Sequence, residues 1–242
     1  MAAAVLVGLF PVLSGSTTSW VVLAVLGAVA VRSRVPEYRD VVVLASCLYV
    51  LALVPGVSLW PLPAGAALLL TAALAAARGG WSRWRTWWRV GRIDAVSWAL
   101  VGGVVVVTVV ALLTWHHVVD RRLPAPYVEL AEGRPPWLVA GAGVGFLLLN
   151  SFIEDSIFSG LLLGLLDRFL PPRASVAVVA ICFGLLHLHG VPDGWVGVAM
   201  SGTWAVLLAV LRHRTGGLVA TYLAHAAADA TIVAMLLPSV GH

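Results

Sequence analysis

Glu154 and Asp155 stand side by side in the run Asn150-Ser-Phe-Ile-Glu-Asp-Ser-Ile-Phe-Ser-Gly160, with apolar sequence over 136–149 before it and Leu-Leu-Leu-Gly-Leu-Leu (161–166) after it. An acid at bilayer depth costs about 2.5–3.5 kcal/mol on insertion scales, so two in a row mark a functional site by default. His187, His225 and Asp229 follow in later apolar stretches. A carboxylate held out of water is a usable general base for a water molecule near neutral pH. Imidazole N–H groups beside it can hold a developing oxyanion. Acid, water and histidine donors together are sufficient to hydrolyse an amide.

Other chemistries fit less well. No Gly-x-Ser-x-Gly or comparable nucleophile motif accompanies the histidines. His-Glu-x-x-His is absent, which excludes a standard zincin. A metal reading stays open as the alternative, with Glu154, His187 and His225 as Zn²⁺ ligands, but no metal or other cofactor is favoured.

The spacings are helical. Asn150 and Glu154 are four apart and share a face; Ser151, Asp155 and Ser159 make a second face about 100° away. Phe183 and His187 are four apart, as are His225 and Asp229. Three helices each aim a polar group away from lipid, and a shared cavity satisfies all three. His189 lies near a helix end, and Trp195 and Trp204 read as anchors or packing groups.

Composition sets the class of protein that holds these residues. The 242 residues are 61% hydrophobic and 11% charged, with a mean hydropathy of +0.99. Charged residues make up about a quarter of a soluble domain. The fold expected is an all-α polytopic transmembrane bundle of about eight helices, in one membrane domain over 1–242. Cys47 and Cys182 sit in apolar helices and read as reduced packing residues. The basic residues are scattered between spans and form no basic face, so nucleic acid is not a partner.

In chain order, 1–13 is a short first helix with no basic leader. Spans follow over 20–31, 41–54, 63–77, 95–115, 137–166, 174–188, 194–211 and 216–237. Residues 78–92 interleave Arg and Trp and suit a headgroup-layer connector. His116 to Pro135 is the longest polar loop, with His116 and His117 at a span end. All fifteen basic residues are arginine, which with the wealth of Ala, Val, Gly and Leu points to a GC-rich bacterial genome and a bacterial inner membrane. Twelve arginines fall in the loops 32–40, 78–92, 167–174 and 212–215, against three in the alternate loops. The excess places the first set in the cytoplasm. At roughly 1.5 Å per residue, Glu154 lies about 25 Å of helix from residue 137 and about 18 Å from residue 166.

Glu154-Asp155-x-x-Phe158-x-Gly160, then Phe183-x-x-x-His187, then Arg214-Thr-Gly-Gly before His225-x-x-x-Asp229 resembles the CPBP family of intramembrane CAAX and bacteriocin-processing proteases, also called Abi. The family pattern is Glu-Glu-x-x-x-Arg, Phe-x-x-x-His and His-x-x-x-Asn/Asp. The resemblance covers 137–237 as a catalytic core, and 1–136 matches it as membrane helices alone. It implies a glutamic intramembrane protease in which Glu154 activates water and Asp155 helps orient the site. His187 shares the water or Glu154, and His225 and Asp229 form the oxyanion side, with Asp229 orienting His225 as the alternative. The implied partners are the lipid bilayer and a membrane-anchored protein or peptide substrate. Two departures stand out: Asp155 replaces the second glutamate, and Ser159 occupies the arginine position. They fit a divergent sorting-type member that cleaves C-terminal membrane tails, or a non-catalytic member acting as scaffold or in bacteriocin immunity. A proton-coupled transporter is the third reading; no repeat of either half supports it.

Overall fold

The computed structural model describes residues 6–7, 17–54, 57, 59–86, 88–119 and 125–236. The described chain is helical, with no strand among the described residues. In order, the helices are α1 (Thr17–Arg32), α2 (Pro36–Leu51), α3 (Leu62–Ala77), the short α4 (Trp81–Arg85), α5 (Ala95–Val119), the short α6 (Ala125–Ala131), α7 (Pro136–Leu166), α8 (Pro172–Leu186), α9 (Gly194–Thr215) and α10 (Val219–Leu236). Five of them, α5 and α7 to α10, are long and apolar enough to cross a membrane, α8 when counted through His189. The expected helix over 1–13 lies outside the described residues except for Leu6 and Val7, both buried.

Local signals in the sequence explain the helix starts. Proline occupies the first or second position of α2, α3, α7 and α8. There its missing N–H is no loss and its φ is already helical. The end of α9 is set by Gly216, at φ 69°, a left-handed cap that a residue with a Cβ adopts at a cost.

One helix start and one helix end differ from the sequence reading. The second long helix begins at Pro36 and not near 41, so Glu37 and Asp40 are buried inside the bundle. They are tolerated because they are paired. Asp40 takes Arg83 at 2.8 Å, Arg78 at 3.3 Å and the buried Trp84 indole N–H at 3.0 Å, and Glu37 takes Arg168. The Arg/Trp connector is therefore folded onto the bundle through α4, and is more than a headgroup anchor. At the other end of α5 the helix runs on to Val119 and includes His116 and His117 in its last turn.

Small residues bring the helices together, as packing in lipid requires. Gly184 on α8 and Gly202 on α9 lie at a close crossing: a Cβ on Gly184 would meet the Val198 carbonyl oxygen at 2.6 Å, and one on Gly202 would meet that of Ala180 at 3.1 Å. α10 packs against α5, α7 and α9. Val101, Val104, Leu208, Leu211, Ala220 and Ala224 form a core between α5, α9 and α10, while the larger core runs through α1 to α4 and α7 to α9. Apolar side chains such as Val106, Val107, Val110 and Leu69 remain exposed, as lipid-facing positions are.

Candidate functional site

Glu154 and Asp155 sit where α7 changes its winding. The helix is α through Asp155, π over Ser156–Leu162 and α again over Leu163–Leu166. The expected Asp155–Ser159 face assumes an unbroken α-helix, and the wider π turn ends that register. Single π turns recur at functional sites in helices. Before the turn the α spacing holds. Asn150 and Glu154 point the same way, and both accept from the indole N–H of Trp60, at 2.8 and 2.9 Å.

The acid pair converges with α10. His225 is 2% exposed, and its ring lies among three carboxyl groups. Nδ1 is 3.1 Å from Asp155 Oδ1, and because a carboxylate accepts, Nδ1 carries the proton. Nε2 faces Glu154 Oε2 at 3.4 Å and Asp229 Oδ2 at 3.8 Å. The second distance is too long for a hydrogen bond. The ring is thus held by Asp155 from α7, rather than by Asp229 from its own helix. Asp229 Oδ2 accepts from Asn150 Nδ2 at 3.0 Å and Ser151 Oγ at 2.8 Å. Four acids and amides on two helices therefore form one connected polar cluster, as burial demands.

His187 approaches this cluster from the end of α8, where it interacts with Glu154 and His225. It begins a 3₁₀ turn, His187–His189, after α8. Its Nδ1 donates to the Phe183 carbonyl oxygen at 3.0 Å, which leaves Nε2 as the nitrogen available to the cavity. Phe183 stacks beside it, with ring centroids 4.8 Å apart, and meets Phe158 edge-on at 5.0 Å. Trp204 lies edge-on to His225 at 4.6 Å, and its indole nitrogen is buried without a hydrogen-bond partner among the described residues.

Glu154, His187, His225 and Asp229 all line one apolar cavity of about 1090 Å³ between α5, α7, α9 and α10. A cavity of this kind excludes bulk water from an extended apolar substrate while presenting a few polar groups, the usual design of a binding site. Tyr127 on α6 lines the cavity too and donates to the Trp60 carbonyl oxygen at 2.8 Å. Burial, and then the charge of Glu154, push the Tyr127 phenol above its ordinary pKa. Among the described residues, no three His, Cys, Asp or Glu side chains are arranged to hold a metal ion.

The Arg214-Thr-Gly-Gly motif has a structural explanation. Thr215 Oγ1 donates to the Leu211 carbonyl oxygen at 2.9 Å, and the Thr215 carbonyl oxygen accepts from the Arg92 N–H at 2.8 Å. Leu218 N–H reaches the Arg89 carbonyl oxygen at 3.1 Å. A Cβ on Gly217 would meet the backbone of Arg89, Val90 and Gly91. The motif clamps the turn before α10 onto the 89–92 strand of chain, and so sets the depth of His225.

Spacing brought Glu154, Asp155, His225 and Asp229 to notice correctly as neighbours. Trp60 and Tyr127 carry no signal in the sequence, since an indole or phenol in an apolar stretch reads as packing; Ser151, expected on the Asp155 face, bonds Asp229, and Trp204, read as an anchor or packing group, packs on His225. Arg212, near the end of α9, belongs with them. Its Nε and Asp155 Oδ2 are both buried without hydrogen-bond partners among the described residues, and the two charges interact.

The fold and the cluster define a polytopic helical membrane protein with a carboxylate–histidine site on an apolar cavity. Residues 135–231 match the family described as type II CAAX prenyl endopeptidase Rce1-like. The match covers the segment from α7 to most of α10, and it is this part of the chain that is similar to that family. No curated protein and no solved structure matches the chain.

Proposed function

We propose that the protein is an intramembrane endopeptidase that cleaves a peptide bond in or near a membrane-associated segment of a protein substrate, in the plasma membrane of a bacterium. The observation that carries this reading is the convergence of Glu154 and His225 on the wall of a cavity large enough for an apolar peptide, with Asp155 holding His225 from behind that wall. Glu154 takes a proton from water, and the resulting hydroxide attacks the scissile carbonyl. Asp155 holds His225 through Nδ1, so that Nε2 faces the reacting centre. Trp60 fixes the Glu154 carboxylate, and His187, on the same cavity, offers Nε2 to the water. Asp229, held by Asn150 and Ser151, stays beside His225. The proton on Glu154 then passes to the leaving amine. The reading requires no metal. In detergent, Glu154→Gln cleaves a candidate apolar-tailed substrate at least about a hundredfold more slowly than wild type, in keeping with the loss of a general base; equal rates would remove Glu154 from the mechanism.

A second reading is a non-catalytic member of the same fold, and Ser159 in the place of the motif arginine favours it. Under that reading Glu154→Ala leaves the cellular phenotype intact.

A further inference from the structure

The two ends of the bundle are chemically different. At one end the four arginine-rich loops are tied to each other. Arg78 and Arg83 reach Asp40 at the start of α2, and Arg168, after α7, reaches Glu37. His213 at the end of α9 meets Asp167 at 2.8 Å, and Arg214 meets Asp94 at 3.2 Å. Arg89 donates from Nε to the Gly216 carbonyl oxygen at 2.7 Å. The loops that hold twelve of the fifteen arginines therefore share one physical end, so their grouping no longer rests on counting alternate loops. An arginine excess of this size marks the cytoplasmic end of a membrane protein.

None of these loops contributes to the cavity wall. Its lining comes from the opposite end: Leu59 and Trp60 before α3, Leu130 and Arg134 in and after α6, His189 and Pro192 after α8. Leu138 at the start of α7 and Leu236 at the end of α10 line it as well. The acid cluster forms its floor. His225 is six residues past the start of α10, roughly 9 Å of helix from the arginine end at about 1.5 Å per residue. Glu154 is eighteen residues past Pro136, roughly 27 Å from the other end by the same rise.

We infer that the cavity opens at the arginine-poor, non-cytoplasmic end of the bundle and that the site takes an apolar segment of an exported protein, which enters from the outer face and reaches down to Glu154. The entry side follows from the two ends alone; the identity of the occupant as a peptide rests on the protease reading above. A substrate whose cleavable segment stays on the cytoplasmic side would have to pass the ion-paired floor.

Thiol labelling in whole cells tests both parts. In a Cys47→Ala/Cys182→Ala background, Leu130→Cys marks the cavity mouth and the exposed Thr86→Cys marks the arginine end. A membrane-impermeant maleimide added outside is expected to modify Leu130→Cys in intact cells, and Thr86→Cys after permeabilisation alone. The reverse pattern, or a Leu130→Cys that stays unmodified in both, overturns the assigned side. Labelling needs no catalysis, so the result stands whatever Glu154→Gln does to cleavage. In the same cells, modified Leu130→Cys is expected to process an exported, apolar-tailed substrate several-fold more slowly than the unmodified variant. Unchanged processing by a fully modified, active protein overturns the entry route.

Discussion

Trp60 donates its indole N–H to Glu154 Oε1 at 2.9 Å, across 94 residues of sequence. The same N–H lies 2.8 Å from Asn150 Oδ1 one turn earlier on α7. The bond ties the connection before α3 to the acid pair and fixes one carboxylate oxygen, leaving the other to face His225 at 3.4 Å. Trp60→Phe keeps the ring and removes the donor. A hydrogen bond to a charged group is worth about 1.5–3 kcal/mol, so cleavage is expected to slow by roughly ten- to a hundredfold. Rates for wild type and variant, with thermal midpoints to establish that the fold is kept, decide it; an unchanged rate would remove Trp60 from the site.

Asp155 and His225 act as a pair through the 3.1 Å bond at Nδ1. Asp155→Asn and His225→Gln are each expected to be nearly inactive, and the double variant little worse than either. A double-mutant cycle should show a coupling of about 1–3 kcal/mol, the range for residues in one network. Additive losses would mean that the ring is oriented by something else.

Arg212 carries a positive charge whose attraction is to Asp167 first and to Asp155 after it, whereas Ser159 carries none. Arg212→Gln removes that field from Asp155 and Asp167 and is expected to lower the thermal midpoint. Arg212→Lys keeps most of it. Ser159→Arg crowds a side chain that is 5% exposed in the wild type, but in the Arg212→Gln background it is expected to recover part of the loss. Thermal midpoints in detergent measure all four proteins, and a Ser159→Arg effect that is the same in both backgrounds would argue against a shared role.

Asp94, ahead of α5, is held below the ordinary carboxylate range by the Ser97 hydroxyl, then by the Ser97 N–H and by Arg214. Its folded pKa lies below its unfolded value. The stability it contributes is therefore present above the ordinary value of about 3.9 and lost as pH falls through the folded pKa. Asp94→Asn should lower the unfolding midpoint at neutral pH, and the gap to wild type should close in acid. A gap that persists well below the carboxylate range would assign the effect to packing.

Much of the site was legible because helical spacing is a strong constraint. Asn150 and Glu154, four apart, share a donor, and Glu154, Asp155, His225 and Asp229 do meet. His187 lines the same cavity and interacts with Glu154 and His225, while its one hydrogen bond is to its own helix. Periodicity says which face of a helix a residue occupies. It does not say how far the next helix stands. Ser159 shows the same limit in another form, since the π turn after Asp155 shifts every later side chain and leaves no mark in the residue types.

The sequence by itself determined a helical membrane bundle, its approximate spans, the arginine asymmetry and the acids and histidines that lipid cannot tolerate unpaired. These follow from composition and from short-range periodicity, which depend on neighbours along the chain. Tertiary structure alone decided that Trp60 grips Glu154, that Asp155 holds His225, that Glu37 and Asp40 are buried against arginines, and that the cavity opens away from the arginine-rich end. Each of those joins residues from different helices. Their distances are set by how the small-residue faces of α7 to α10 pack, and that packing is a property of the whole bundle.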